Sequence, residues 1–149
     1  MKDDDAEIDK TGLLLLDTHT LIWSIKDGPK LGSRSKESIR IAGNMGCAFV
    51  SAITPWEIAL LVSKGRLALQ ADVSKWIRDA LVIPGLTLVP LEPEIAVAST
   101  RPPFEMHADP ADRILVATAR HLGATLVTAD AALLELARQG HFLAMDAGA

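Results

Sequence analysis

Short runs of apolar residues alternate along the chain with longer segments of helical periodicity. The apolar runs predict strands over residues 13–16, 47–52, 86–91 and 125–128, with a short edge strand over 142–144. The helical segments cover residues 20–25, 33–42, 55–64, 73–81, 93–99, 110–122 and 131–139. Strands that are short, apolar on both faces and separated by helices predict an α/β fold. We expect a central parallel sheet of four to five short strands flanked by helices.

Acidic residues stand where this pattern places a ligand site. In an open parallel sheet, ligands bind beyond the carboxyl ends of the strands. Asp17 directly follows the first predicted strand, and Asp130 lies two residues beyond the fourth. A charge after four consecutive leucines is costly to bury unless it is paired or metal-bound. We therefore expect Asp17 and Asp130 to lie on the same edge of the sheet.

Two further acids occupy similar positions at the starts of helices. In TPWE, Thr54 is a typical N-cap, Pro55 suits the first helical position, and Glu57 can complete a capping box. In DPAD, Asp109 is the predicted N-cap and Asp112 takes the position that Glu57 has in TPWE. The helix dipole stabilises an acid in the first turn by roughly 0.3–1 kcal/mol, so each acid alone has a structural explanation.

Together these acids predict a metal site. Carboxylates that lie close together repel one another, and one of them normally becomes protonated unless a cation is present. Magnesium and manganese prefer oxygen ligands and are bound through one or two carboxylates and several waters. A site of this kind suits hydrolysis of a phosphodiester. We predict that Asp17, Glu57, Asp112 and Asp130 are both the catalytic and the metal-binding residues.

Composition and charge indicate where the folded domain begins. The chain has 149 residues, 49% of them hydrophobic, and a mean hydropathy of +0.24, which indicates a compact domain. The first ten residues carry five acids and two lysines, whereas the remainder of the chain is nearly neutral. We predict an acidic flexible extension over residues 1–11 and one folded domain over 12–149.

The apolar runs and the cysteine content indicate where the protein is located. The longest apolar run, residues 13–16, is far shorter than the ~18 residues of a membrane span, and an acidic segment precedes it. A single cysteine, Cys47, allows no intramolecular disulfide. We expect a cytoplasmic protein that has no contact with the membrane.

Three segments carry a family resemblance. LLLLDTHTLIW, SAITPWEIALLVSKGRL and HADPADRILVATARHLGATLVTAD occur in this order and span residues 13–130. With these segments the chain resembles PIN-domain ribonucleases, in particular the VapC-type toxins of bacterial type II toxin–antitoxin modules. The DPADR stretch followed by LVTAD is the more specific part. The acidic extension departs from the family, whose members often begin almost directly at the first strand.

The resemblance implies a function and partners. It implies metal-binding acids at Asp17, Glu57, Asp112 and Asp130, and endoribonuclease activity that depends on Mg²⁺ or Mn²⁺. It also implies an RNA substrate, a homodimer, and a cognate antitoxin whose C-terminal segment wraps the toxin. Thr128 matches a hydroxyl residue that the family often has near the site. We expect supporting positions around the site for Asp109, as a helix cap, and for His107, within reach of a phosphate.

Other interpretations stay open at this point. A phosphatase of the haloacid dehalogenase type needs an aspartate where this chain has His19. A magnesium-binding receiver domain needs a late lysine, and no lysine follows Lys75. A catalytically inactive PIN-like module that binds RNA or protein is a further alternative. We expect His19 to be structural, and the tryptophans to pack in the core or at a dimer contact.

Overall fold

A computed structural model describes residues 12–149. Its five strands are β1 Leu14–Leu16, β2 Ala48–Ser51, β3 Leu86–Val89, β4 Thr125–Thr128 and β5 Leu143–Asp146. The helices are α1 Thr18–Lys26, α2 Ser33–Asn44, α3 Ile53–Ser63, α4 Val73–Leu81, α5 Pro93–Thr100, α6 Pro110–Leu122 and α7 Ala131–Arg138. The predicted extension over residues 1–11 lies outside the described residues, so the domain boundary at residue 12 stays a prediction.

All five strands are parallel and form one sheet in the order β3-β2-β1-β4-β5. The predicted α/β fold with a parallel sheet is confirmed. In this order the chain leaves β1 toward β2 on one side, and β4 is added on the other side. A crevice opens at such a topological switch point. The receiver-domain alternative is wrong, because receivers have the strand order 2-1-3-4-5.

The sheet is buried on both faces, as its uninterrupted apolar strands predict. Leu14, Leu16 and Val127 contribute to one core, which also contains residues of α1, α2 and α3. Leu15 and Leu126 contribute to the opposite core, against α6 and α7. Successive side chains of a strand point to opposite faces, so both faces of β1 need apolar residues. This packing fixes the carboxyl ends of β1 and β4, where the acids follow.

Two helix starts differ from the prediction. Helix α1 begins at Thr18 rather than residue 20, because Asp17 is its N-cap and accepts a hydrogen bond from the Thr20 N–H at 2.8 Å. Helix α3 begins at Ile53 rather than residue 55, and the Ile53 N–H donates to Ser51 Oγ at 3.1 Å. Both helices therefore start immediately beyond their strands, closer to the crevice than the pattern indicated.

Within residues 12–149, no helix is both long enough and apolar enough to cross a membrane.

Candidate active site

Asp17 is held at the carboxyl end of β1 by its own backbone and by the next helix. Its N–H donates to Val127 O of β4 at 3.2 Å, and the Thr20 hydroxyl donates to the same oxygen at 2.9 Å. The residue is only 9% exposed, and one of its carboxylate oxygens caps α1. The fold thus fixes this carboxylate between β1 and β4.

Asp130 follows β4, the strand that pairs with β1 at the switch point. It is the N-cap of α7 and accepts a hydrogen bond from the Leu133 N–H at 3.0 Å. Thr128, which is fully buried, accepts the Asp130 N–H on its hydroxyl at 3.1 Å. Thr128 therefore lies directly behind Asp130 and orients it, and its role in the site stays a prediction.

Helix α6 brings two more acids. Asp109 is its N-cap, as predicted, and one of its oxygens accepts the N–H groups of Ala111 and Asp112 at 2.9 and 3.2 Å. Asp112 lies in the first turn, as predicted, and its Oδ2 is 2.7 Å from His107 Nε2. His107 thus contacts an acid of the site directly.

Arg113 holds the loop that carries His107. Its guanidinium donates to the carbonyl oxygens of Met106 and His107, both at 2.9 Å. The arginine follows Asp112 on the helix and turns back onto the loop, where two main-chain carbonyls accept its fork of N–H groups. This contact sets the position of His107 relative to Asp112.

Glu57 reaches the site by a different route from the one predicted. Because α3 begins at Ile53, Thr54 lies inside the first turn and Glu57 in the second. The predicted capping box is therefore wrong. Glu57 instead accepts a hydrogen bond from the Thr18 hydroxyl of α1 at 2.5 Å, and the Thr18 and Thr54 hydroxyls are 3.3 Å apart. Thr54 is buried against α1 and is not available as a cap.

These side chains surround a cavity of about 440 Å³ at the carboxyl edge of the sheet. Five carboxylates line it: Asp17, Glu57, Asp109, Asp112 and Asp130. The other lining residues are Thr18, His19, Trp23, Lys30, Leu115 and Ala129. All four acids predicted for the site therefore share one cavity, and Asp109 joins them.

Burial and mutual repulsion raise the pKa values of two of the acids, Glu57 and Asp112. Burial raises the pKa of Glu57, the Thr18 hydrogen bond lowers it, and the charges of Asp112, Asp109 and Asp17 raise it further. Burial also raises the pKa of Asp112, the hydrogen bond from His107 lowers it, and the charges of Asp109 and Asp130 raise it. Each acid lies within the field of others from distant parts of the chain, which is the convergence that the sequence predicted.

The chemistry of the donors fits a divalent cation of the magnesium type. All five acidic side chains offer oxygen, and their mutual repulsion is relieved by positive charge. Among residues 12–149, no three acidic, histidine or cysteine side chains already enclose one point at ligand distance. Magnesium does not need such a cage, because it keeps several waters and binds through one or two carboxylates.

Two features of the site were not found from the sequence. Thr18 holds Glu57, and its signal is weak, because a threonine after Asp17 also suits an ordinary helix start. Trp23 and Lys30 line the cavity, although the tryptophans were expected to pack in the core or at a dimer contact. Trp23 does pack partly on the core, and its remaining surface borders the acids.

A parallel α/β sheet with acids gathered at its switch point defines a candidate active site, and the family follows from comparison. The model of the PIN domain family matches residues 14–139, and the chain belongs to this family. It is similar to Ribonuclease VapC22 of Mycobacterium tuberculosis, with 30% identity over 117 residues. That alignment covers 78% of this chain and 86% of the relative.

Solved structures share the fold. The structure of VapBC2 from Rickettsia felis bound to a DNA fragment from its promoter matches with a TM-score of 0.65 and 16% identity, over 89% of this chain and 97% of that chain. FitAcB from Neisseria gonorrhoeae matches with a TM-score of 0.58 and 20% identity, over 91% and 98% of the two chains. At this identity, the two structures show that the architecture is shared.

Proposed function

We propose that this protein is a metal-dependent endoribonuclease of the VapC type, the toxin of a type II toxin–antitoxin module. The observation that carries the proposal is the gathering of five carboxylates around one cavity at the switch point of the sheet. The similarity to Ribonuclease VapC22 supports RNA as the substrate. The inactive-module alternative is weaker, because all four acids that the resemblance implies are present and share the cavity.

We assign roles to the acids by the way they are held. Asp17 and Asp112 are the proposed direct ligands of Mg²⁺ or Mn²⁺, and Glu57 and Asp130 complete the acidic site. Asp17 keeps one carboxylate oxygen for the cavity while the other caps α1. When bound, the cation supplies the charge that activates a water and stabilises the leaving oxygen of the phosphodiester. Asp109, Thr128 and His107 position these acids.

The protein residues supply the orientation that hydrolysis needs. A water adds to the phosphorus, and the phosphorus–oxygen bond to the neighbouring nucleotide breaks. Burial and neighbouring acids raise the pKa of Glu57, which is not one of the two proposed direct ligands, so Glu57 is suited to accept a proton from the attacking water. The rigid strand ends and helix caps hold the acids in place before the substrate arrives.

The proposed partners follow from the same resemblance. We propose a cognate antitoxin that binds and neutralises this chain, because VapC-type toxins have one and because VapBC2 and FitAcB share the fold. A homodimer is proposed on the resemblance alone. The cytoplasmic location stays a prediction, consistent with a cellular RNA substrate.

The test of the nuclease is cleavage of total cellular RNA with and without Mg²⁺. Asp17→Asn keeps the cap, because asparagine caps helices as well as aspartate, but it removes the charge. We expect loss of Mg²⁺-dependent cutting with an unchanged melting temperature in the absence of metal. Cutting at the wild-type rate by Asp17→Asn contradicts the mechanism.

Asp72→Asn is the matched control. Asp72 is also an N-cap and accepts two backbone N–H groups at the start of α4, but it lies outside the acidic cavity. This variant should cut RNA as the wild type does. A second readout does not depend on activity: Mg²⁺ should raise the melting temperature of the wild type and of Asp72→Asn, but not of Asp17→Asn.

A further inference from the structure

One wall of the acidic cavity carries three side chains that the proposed mechanism does not use. His19 and Trp23 lie one turn apart on α1, so they share a face of the helix. Their ring centroids are 5.9 Å apart and the rings are inclined by 48°. The Lys30 ammonium lies over the Trp23 ring, 5.8 Å from its centroid. We call these three residues the aromatic wall.

The aromatic wall is continuous with the acids. Asp17 caps the helix on which His19 and Trp23 stand, and all three residues of the wall line the same cavity as Asp17. Trp23 lies about 9 Å from Asp17 along the helix, at 1.5 Å per residue. A group bound at the acids is therefore next to a group bound on Trp23.

Packing against the core restrains the orientation of Trp23. Part of its ring packs on the core beneath α1, and the rest borders the cavity. A large ring that is already ordered loses little conformational freedom when a ligand binds to it. The ring thus offers a preformed flat surface, whereas His19 and Lys30 are exposed and free to adjust.

Charge indicates which kind of ligand this wall suits. The cavity holds five carboxylates, and Lys30 is the only lysine or arginine among the described residues that line it. A polyanion approaching these acids needs a cation close to the reacting phosphate, and Lys30 is placed to provide it. Single-stranded nucleic acid is commonly bound by aromatic rings on which bases stack, together with cations that contact phosphates.

We propose that His19, Trp23 and Lys30 form a binding site for one unpaired nucleotide of RNA, beside the phosphate that is cleaved. The base stacks on Trp23 with His19 at its edge. The Lys30 ammonium, which rests over the ring when no RNA is bound, moves on its flexible stem to the phosphate. The site selects unpaired RNA, because a base within a duplex cannot expose its face to Trp23. This inference rests on the proposed ribonuclease function.

The experiment measures binding apart from cleavage. A fluorescein-labelled oligouridylate is titrated with protein in Ca²⁺ instead of Mg²⁺, and the RNA is checked for integrity afterwards. We expect Trp23→Leu to weaken binding about tenfold, whereas Trp23→Phe, which keeps a ring, stays close to the wild type. Lys30→Gln should weaken binding several-fold and reduce the salt dependence by about one phosphate contact.

Matched controls remove the same groups elsewhere. Trp56 is 56% exposed and Lys64 is exposed, and neither lines the cavity. Trp56→Leu and Lys64→Gln should bind the oligouridylate as the wild type does. If Trp23→Leu does not fold, the proposal is tested by comparing the oligouridylate affinities of Lys30→Gln and Lys64→Gln. In a chain with Trp56 and Trp76 changed to Phe, Trp23 is the only tryptophan, and its emission should be quenched by RNA.

The outcomes separate the two proposals. If the wild type neither binds nor cuts RNA, the ribonuclease function fails. If it cuts RNA in an Asp17-dependent way while Trp23→Leu and Lys30→Gln bind normally, only the aromatic wall proposal is overturned. It is also overturned if these variants bind RNA normally but lose affinity for an oligoarginine peptide, since the wall is then a contact for a basic protein segment.

Discussion

The acids of the cavity fall into two groups that are held in different ways. Asp17, Asp109 and Asp130 are helix N-caps, and backbone N–H groups donate to each of them. Glu57 and Asp112 are held by the side chains of Thr18 and His107 instead. Burial and neighbouring acids raise the pKa values of Glu57 and Asp112.

The difference separates what the fold provides from what the function requires. A cap carboxylate contributes to stability by satisfying backbone N–H groups, and it adds charge to the cavity at the same time. Glu57 and Asp112 raise the energy of the metal-free protein, because burial and repulsion disfavour their charged forms. An arrangement that costs stability at a cavity is typical of a functional site.

The largest expected effect is loss of activity at the second group. Glu57→Gln and Asp112→Asn should each reduce Mg²⁺-dependent RNA cleavage by more than about 100-fold, because changes in residues that only support a metal site already cost 10–100-fold. Both variants should also melt at a higher temperature than the wild type without metal, since a neutral group replaces a disfavoured charge. Calorimetry and a cleavage assay check the two effects.

Glu105→Gln is the control for this pair of variants. Glu105 is exposed and lies outside the cavity, so neither activity nor melting temperature should change. A lower melting temperature for Glu57→Gln together with full activity would show that Glu57 has a purely structural role.

The next effect concerns the hydroxyl that holds Glu57. Thr18→Val keeps the shape of the side chain but leaves the buried part of Glu57 without its donor. Hydrogen bonds to charged groups contribute about 1.5–3 kcal/mol, and water that still reaches Glu57 reduces this value. We expect a loss of about 1 kcal/mol in unfolding free energy near neutral pH, measured by urea titration.

Thr18→Ser is the matched variant, because it keeps the hydroxyl and should retain most of the stability. If Thr18→Val keeps the wild-type stability while Thr18→Ser loses it, the Thr18 methyl group matters and its hydrogen bond to Glu57 does not.

The two groups also differ in how well the sequence predicted them. The position after a buried apolar strand located Asp17 and Asp130, and the DPAD pattern located Asp109 and Asp112, because strand ends and caps are local features. Glu57 was placed on the correct helix with the wrong partner. Its contact with Thr18 joins residues 39 positions apart, and no local pattern encodes such a pair.

The limits of local sequence patterns also explain the other differences between the predicted and the observed structure. The parallel sheet and its two cores follow from uninterrupted apolar strands, and they were predicted. The start of α3 was misplaced because Thr54 reads locally as a cap, whereas in the fold it is buried against α1. Arg113 and Trp23 take their roles from a loop and a cavity that form only when distant segments meet.

An effect on stability of similar size, with a smaller effect on activity than at Glu57 and Asp112, is expected at the caps. Asp109→Ala removes the acceptor for the N–H groups of Ala111 and Asp112, and it should lower the unfolding free energy by about 1 kcal/mol. Asp109→Asn should retain that stability. If Asp109 only positions α6, both variants keep measurable cleavage, in contrast to Asp112→Asn. Complete loss of cleavage with Asp109→Asn, at normal stability, would place Asp109 among the metal ligands.

The smallest effect is a pH dependence of stability that Glu57 and Asp112 produce. Because the folded-state pKa values of Glu57 and Asp112 are raised, the folded chain binds more protons than the unfolded chain between the unfolded and folded pKa values. Unfolding free energy therefore falls as pH rises through this window, and the loss persists above it. Both side chains keep some contact with water, so screening limits the size of the effect.

The measurement compares the metal-free wild type with Glu57→Gln/Asp112→Asn in urea titrations from about pH 4 to about pH 8. The stability advantage of the double variant should be smallest at the acid end, where the wild-type acids are protonated, and should grow and level off toward neutral pH. Adding Mg²⁺ at neutral pH should reduce this advantage, because the cation stabilises only the wild type. A constant difference at all pH values would mean that the two acids are not destabilised by burial and repulsion, and the distinction between the two groups would then rest on hydrogen-bond geometry alone.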